Sequence, residues 1–381
     1  MIFNEDQLAL KEAAARFARD ILLPGYQKRE LLPIDRDLCR EMGRLGFLGT
    51  DLPEDLGGLG TSSVTTGMLA EELAKGDFNM AAIPVNVSLN AAVLVQNAPK
   101  DVISEWVPQM ISGDKIMAIC LTEPRGGSDA ANLELRASKK GSDWVLNGEK
   151  TSISFADSAD IFLVFARTGT AEQGAHGVSA FFIPEGTPGI TRLPFNDLGH
   201  RIVGRGSVFF DDVTIPDEYC LGGPGKGFTQ VMHGFDYSRA LIALECCGAA
   251  QASLDETWDY VRERQAFGRP IGQFQGVSFP LAEGESHLTA IRQMAYHTLE
   301  LREAGMKHTA EAAMCKWMGP KYAAEIIHNC LLATGHYGYS MDLPHQQRMR
   351  DVIGLQIGDG TAGIMKQIIA RQKIGRAAVP Y

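Results

Sequence analysis

Ile119-Cys120-Leu121-Thr122-Glu123-Pro124-Arg125-Gly126-Gly127-Ser128-Asp129 marks the point where the periodicity of this 381-residue chain changes. An apolar run ends there in a turn with two glycines. Exposed backbone N–H groups in such a turn can hydrogen-bond a flat heteroaromatic ring or a phosphate. Taken alone, the stretch serves equally well as a plain surface loop. Upstream of it the pattern is helical. Asn4 and Gln7 have the spacing of a capping box, and Leu10, Ala14, Phe17 and Ile21 recur as one buried face. Pro24 is expected to close that helix. A short helix over 35–45 stops at Gly46, a glycine-rich loop covers 52–60, and helices are expected over 63–75 and 81–96.

Downstream the period becomes that of strands. Trp144-Val145-Leu146-Asn147-Gly148-Glu149-Lys150-Thr151 places Asn-Gly between two strand-like runs, a strong hairpin signal. Short β-type runs follow at 161–165, 178–183, 208–210 and 213–216, which predicts a middle β unit, a small barrel or a sandwich. Gly222-Gly223-Pro224-Gly225-Lys226-Gly227 lacks the Ser or Thr and the spacing of a phosphate loop, and reads as a link. Beyond it, Ala-rich helices are expected over 235–264, 276–304, 309–332 and 362–373, with Pro280 and Pro320 near helix starts. Long helices with sparse loops predict a bundle. The regions are therefore 1–115 helical, 116–225 β and 226–381 helical.

Composition narrows the function. The formal charge of -10 and a sequence pI of about 5.4 argue against a nucleic-acid partner, since phosphate backbones attract basic surfaces. No apolar run approaches membrane-spanning length, and the start lacks a basic segment followed by an apolar one. Seven Cys at irregular spacings, two of them adjacent at 246 and 247, predict free buried thiols in a reducing cytoplasm. No pair among the nine His has metal-ligand spacing, so no metal is expected. No G-x-G-x-x-G follows a strand and opens a helix, and no G-x-S-x-G elbow occurs.

Several segments together resemble the acyl-CoA dehydrogenase family. Thr122-Glu123-Pro124 with Gly127-Ser128-Asp129 is similar to its T-E-P-x-x-G-S-D signature. Leu52 to Gly58, Asn147 to Lys150, Asp212 to Pro216, Arg239, Arg264 to Gly268, Gln275, Arg350-Asp351 and Asp359-Gly360-Thr361 stand in the family's order. The resemblance covers essentially the whole chain. It implies the acyl-CoA dehydrogenase fold: an N-terminal helical domain, a middle β-barrel and a C-terminal four-helix bundle, assembled as a homotetramer. It implies FAD as cofactor, an acyl-CoA thioester as substrate and an electron-transfer flavoprotein as acceptor.

By the same resemblance Leu121 and Thr122 face the flavin, Ser128 lies near the ligand, and Ser152 and Ser154 flank the ring. Arg264, Phe267 and Gln275 contact FAD across a subunit boundary, and Gly335 and Thr361 belong to the cofactor set. Asp236, Ser238, Arg239 and Gly360 line the substrate channel. Ile119, Ser152, Ser154, Leu332 and His336 depart from the residues the family usually carries.

Asp359 falls where the family has the Glu of E-G-T. Between Gly358 and Gly360 the backbone can adopt an unusual conformation and approach a ligand. A helix-start aspartate, favoured by the helix dipole, is the structural alternative. The resemblance implies the base that removes the α-proton of the thioester. Some family branches place the base just before the channel Arg, but that position here is Ser238. Asp is one carbon–carbon bond shorter than Glu, ~1.5 Å. That difference resembles the subgroup acting on alicyclic thioesters such as cyclohexane-1-carboxyl-CoA. A linear-chain dehydrogenase, an acyl-CoA oxidase and a non-catalytic flavin- or thioester-binding scaffold are the alternatives.

Overall fold

The first helix, α1 (Glu5–Phe17), opens with the expected reciprocal cap. The Gln7 N–H donates to Asn4 Oδ1 at 2.8 Å, and the Asn4 N–H donates to Gln7 Oε1 at 3.1 Å. The computed structural model describes residues 3–375. Residues 1–2 and 376–381, the outer ends of the first and last regions, lie outside the described residues. After α1 the chain widens into one π turn, Ala18–Leu22. A π turn advances the helix by more residues than an α turn, so the apolar stripe loses phase. Ile21, expected in the buried face, is 49% exposed, while Ala14 and Phe17 are buried. Pro24 does not end the helical path either. It sits at the start of a 3₁₀ turn, where its missing N–H costs nothing, and the chain continues into α2 (Tyr26–Arg29).

Asp35 caps α3 (Arg36–Arg44) by accepting from the Asp37 and Leu38 amides. Then follow α4 (Ser63–Gly76), α5 (Phe78–Asn97) and α6 (Lys100–Ile111). The sequence pattern did not predict α6, which carries Pro108 inside it. Helix α5 corrects a further expectation. It is long and apolar enough to cross a membrane by composition, yet 78% of its most apolar window is buried inside the fold. It is the core helix of the first region.

The middle region has seven strands: β1 (Met117–Cys120), β2 (Arg136–Lys140), β3 (Asp143–Ile153), β4 (Ile161–Arg167), β5 (Val178–Pro184), β6 (Ile190–Pro194) and β7 (Gly206–Pro216). They form one sheet in the order β1-β4-β2-β3-β7-β6, with β5 on β4. β1 runs parallel to β4, pairing Met117 with Ile161 and Cys120 with Val164. Every residue of β4 is buried, which explains its unbroken apolar run.

Asn147-Gly148 is not the expected hairpin turn. β3 runs straight through it, and the turn lies at Gly141-Ser142. Asn147-Gly148 makes a bulge against β7 instead. There the Asp212 N–H donates to Asn147 Oδ1 and Asn147 Nδ2 donates to Asp212 Oδ1, each at 2.9 Å. Gly148 has φ 142°, and a Cβ there would meet Leu135 Cα at 2.9 Å, so glycine serves close approach rather than reversal.

Helix α7 (Gly227–Glu263) follows, then a small hairpin of β8 (Gln265–Ala266) and β9 (Arg269–Pro270). Then come α8 (Gln275–Glu303), α9 (Thr309–Ala333), α10 (His345–Gly354) and α11 (Ala362–Ile374). α7 packs against α4, α8 and α9, and α10 and α11 lie on α9. The short α10 was not predicted. Pro320 falls in the middle of α9 rather than near its start. Beside it, a Cβ on Gly319 would meet Ala243 Cα at 2.8 Å, so α9 and α7 come into close contact there.

All three regions meet at Asp351 on α10. Tyr26 Oη donates to Asp351 Oδ2 at 2.6 Å and Asn79 Nδ2 donates to the same oxygen at 2.9 Å. The His200 N–H donates to Oδ1 at 2.6 Å. Burial pushes the Asp351 carboxyl up to about 7, against the three donors that pull it down. Asp351→Ala leaves three buried donors unmatched and is expected to cost about 3 kcal/mol or more in chemical denaturation. A folded pKa above the unfolded one contributes stability in full below about pH 4. That contribution is lost as pH rises towards about 7. The stability gap between wild type and variant should therefore narrow over that window. A gap that widens with pH means the carboxyl is ionised throughout.

Candidate active site

The turn between α10 and α11 carries Asp359 with φ 52°, a left-handed conformation that costs a non-glycine residue energy. Gly360 follows with φ 106°, and a Cβ there would meet Met365 Cε at 2.4 Å. The Met365 side chain could move aside, so it is the φ of 106° that favours glycine beside the carboxylate. Thr361 then caps α11, accepting from the Ile364 N–H at 3.5 Å. Asp359 is half-buried. Burial raises its pKa above the usual carboxylate range, and Lys316 and Arg239 oppose that rise. Asp359 lies two residues before the N-cap of α11, which is Thr361, so it does not itself cap that helix.

Arg239 on α7 is buried and close to this turn. Its Nη2 lies 3.8 Å from the position of a Cβ on Gly360. Arg239 Nη1 donates to Asp236 Oδ1 at 3.0 Å, and Thr309 Oγ1 donates to Asp236 Oδ2 at 2.6 Å. Arg239 Nε is buried without a hydrogen-bond partner among the described residues. Such a donor suits a ligand acceptor. Ser238 is different: it is fully buried, and its hydroxyl donates to Phe235 O at 3.4 Å within its own helix. It is enclosed, not open to a channel.

The β region supplies a second group. Leu121 is buried, Thr122 is partly open, and Ser128, Ser152 and Ser154 are exposed. Their placement depends on one buried ion pair. Lys150 Nζ donates to Glu123 Oε1 at 2.7 Å and to Leu121 O at 3.0 Å. Glu123 also accepts from the Glu134 N–H at 2.6 Å and the Leu135 N–H at 3.0 Å. Burial lowers the Lys150 pKa to about 8, against the pull of Glu123. The Thr151 N–H donates to Thr122 O at 2.9 Å, sewing the 121–128 turn to the end of β3. Beyond it the backbone turns with positive φ at Ser152 (57°) and Phe155 (63°). Non-glycine residues in this region concentrate at ligand sites. The result is an open surface of hydroxyls and backbone groups beside a glycine pair. That donor and acceptor set fits a flat heteroaromatic ring such as a flavin.

A third group points outward. Arg264, Phe267 and Gln275 lie on or beside the β8–β9 hairpin, and Phe267 is 95% exposed with φ 52°. Its ring meets Phe274 edge-on, centroids 6.0 Å apart. Gly335, with φ 69°, is exposed in the turn after α9. His336 stacks on Tyr337 there, centroids 4.1 Å apart. Within this one chain, Asp359, Gly360 and Arg239 come together, and Leu121, Thr122, Ser152 and Ser154 come together. The outer group is at the surface.

Sequence reasoning missed Lys316 on α9 and Glu245 on α7. Lys316 is buried, donates to Leu355 O, and reaches Gly360 O at 3.4 Å. Glu245 is buried, with Oε1 lacking a partner among the described residues, and burial drives its pKa well above the usual range. The available signal was a lone charge inside an apolar helical stretch, as in Met314-Cys315-Lys316-Trp317-Met318. No group of residues able to hold a metal occurs among the described residues.

Three family models match in succession. They are the N-terminal domain of acyl-CoA dehydrogenase over 4–114, its middle domain over 118–213 and its C-terminal domain over 225–374. An acyl-CoA dehydrogenase of Bacillus subtilis is 32% identical over 380 residues, covering 98% of this chain and 100% of its own. The short-chain specific acyl-CoA dehydrogenase of Rattus norvegicus mitochondria is 33% identical, covering 96% and 89%. The solved butyryl-CoA dehydrogenase of Megasphaera elsdenii superposes with a TM-score of 0.94 at 30% identity, covering 98% and 100%. With the fold matched from end to end, the chain belongs to the acyl-CoA dehydrogenase family, FAD-dependent oxidoreductases of acyl-CoA thioesters.

Proposed function

We propose that this acyl-CoA dehydrogenase acts on a thioester whose α-carbon is a ring or branch point, with Asp359 as the base. Cyclohexane-1-carboxyl-CoA, giving the cyclohex-1-ene product, is the substrate of that class. One observation carries it. The carboxylate on the α10–α11 turn is one methylene shorter than the family's Glu, on a backbone that Gly360 holds in close contact with its surroundings. A misplacement of about 1 Å can cost on the order of a hundredfold in rate. A shorter base therefore favours a substrate whose α-carbon sits differently.

The α-proton of a thioester is weakly acidic, so the base must lie close and be strong. Burial raises the proton affinity of Asp359, while Lys316 and Arg239 favour its ionised form. The unpartnered Nε of Arg239 is available to a substrate acceptor. When bound, FAD supplies the acceptor for the β-hydride. Leu121, Thr122, Ser152 and Ser154 would hold its ring, with Ser128, Gly335 and Thr361 nearby. Arg264, Phe267 and Gln275 would reach the FAD of a second subunit. Their outward placement supports a homotetramer in which each site is completed by a neighbour. An electron-transfer flavoprotein is the proposed acceptor, and seven free buried thiols suit the reducing cytoplasm.

A linear short-chain thioester is the competing substrate, favoured by the butyryl-CoA and short-chain enzymes this chain is similar to. Anaerobic bleaching of the flavin by a panel of thioesters separates the two. Cyclohexane-1-carboxyl-CoA should bleach fastest, and Asp359→Asn should slow bleaching by about a hundredfold to ten-thousandfold. Fastest bleaching by butyryl-CoA keeps the reaction and discards the ring. Undiminished bleaching in the variant removes Asp359 as the base. Peroxide release on reoxidation in air, at the rate of turnover, marks an oxidase instead. Protein that neither holds flavin nor binds thioesters marks the scaffold.

The buried Lys150–Glu123 pair yields a second prediction. Lys150→Met leaves a buried carboxylate unpaired, which costs about 3–5 kcal/mol. It also frees the 121–128 turn, so the purified variant should retain less flavin per chain, read from its absorbance ratio. Lys150→Met combined with Glu123→Leu should recover part of the stability but not the flavin. Full flavin retention in the single variant would show that the pair does not position the turn.

A further inference from the structure

Lys316 is a buried ammonium placed where the turn carrying Asp359 begins and ends. It donates to Leu355 O and to Gly360 O, the latter at 3.4 Å. Leu355 is the C-cap of α10, where helix carbonyls lack partners and the dipole favours a cation. Gly360 immediately precedes the cap of α11. One side chain thus pins both ends of the turn whose fourth residue beyond α10's cap is Asp359. Its own base is fixed: α9 contacts α7 so closely at Gly319 that a Cβ there would meet Ala243 Cα at 2.8 Å. The family base is longer and tolerates backbone error through its extra rotamer. A shorter carboxylate has less freedom, so its position follows the backbone more closely.

We infer that Lys316 is a positioning residue for the proton-abstraction step, holding the α10–α11 turn so that the Asp359 carboxylate presents one fixed reach and stays charged. The inference rests on Asp359 being the base. The charged and titratable groups facing Asp359 are Lys316 from α9 and Arg239 and Glu245 from α7, and Cys246 faces Lys316 from α7. Lys316 and Arg239 lower the proton affinity of Asp359. Glu245 carries no favourable charge for it. Removing Lys316 leaves Arg239 alone against the burial penalty, so Asp359 takes up a proton at higher pH than in the wild type. Activity needs the ionised form, so the acid limb moves to higher pH.

The test uses the FAD-loaded enzyme with a 3-thia-acyl-CoA. This thioester can lose its α-proton but has no β-hydrogen to give, so exchange with D₂O reads proton abstraction without turnover. Lys316→Gln, Lys316→Met and Asp359→Asn are compared with wild type for exchange rate against pH, thioester affinity and thermal midpoint. Lys316→Gln should lose about tenfold or more in exchange at neutral pH and recover part of it at higher pH, with affinity nearly unchanged. Lys316→Met, which also loses the hydrogen bonds, should fall further and recover less. A residue serving the fold alone would lower the thermal midpoint and leave the acid limb in place. An unshifted limb in Lys316→Gln overturns the inference, as does failure of both Lys316 variants to fold. Wild-type exchange in Asp359→Asn overturns the base assignment itself, whatever the Lys316 variants do.

Discussion

The organisation of this protein depends on one carboxyl, Asp351 of the C-terminal region, that receives hydrogen bonds from each of the other two regions. Tyr26 and Asn79 come from the first helical region and His200 from the β region, while Asp351 itself stands on α10. Arg348 and Arg350 beside it add bonds to Glu256 at 2.8 Å and to Leu198 O at 2.8 Å. A buried polar node of this kind contributes little net stability when satisfied and costs much when broken. Its effect is geometric: the second half of α10 is locked against the other two regions, and Asp359 lies just past the end of the same helix.

From there the site is an exercise in placing short groups with little freedom. On the bundle side, Lys316 bridges the ends of the turn and Gly360 allows it to approach Met365. On the β side, the Lys150–Glu123 pair fixes the 121–128 turn, and Ser152 and Phe155 take left-handed backbone. Asp359, Ser152 and Phe155 all lie in sparsely populated regions of φ that the surrounding packing must impose. Buried charge supplies that restraint on both sides.

What could be read from the sequence was local. The Asn4 cap and the glycines around Asp359 announce themselves within a few residues. So does the strand-to-turn break at 119–129. The misreadings arose where a local signal had a second meaning. Asn147-Gly148 can reverse a chain or bulge a strand, and its contacts with Leu135 and Asp212 decide for the bulge. Pro24 can end a helix or begin one. Ile21 kept helical spacing, but a π turn rotated it out of the core. Ser238 falls in a channel-like segment yet turns its hydroxyl back on its own helix. Asp351 and Lys316 were not legible as a node and a clamp, because their partners lie up to 325 residues away in the first case and 39 and 44 in the second. Contacts at that separation are a property of the fold.

Membership of the acyl-CoA dehydrogenase family accounts for the architecture, and the departure from its usual base accounts for the proposed substrate. In the proposed reading the two are linked by reach: a carboxylate one methylene short, on a turn pinned at both ends, would set the position of the α-carbon. The most direct measurement is the relative rate of anaerobic flavin reduction by cyclohexane-1-carboxyl-CoA and butyryl-CoA in Asp359→Glu. Restoring the methylene should shift preference towards butyryl-CoA by roughly tenfold or more, since about 1 Å of misplacement is worth that much or more in rate. An unchanged preference would contradict the account, because reach would then not be what selects the substrate.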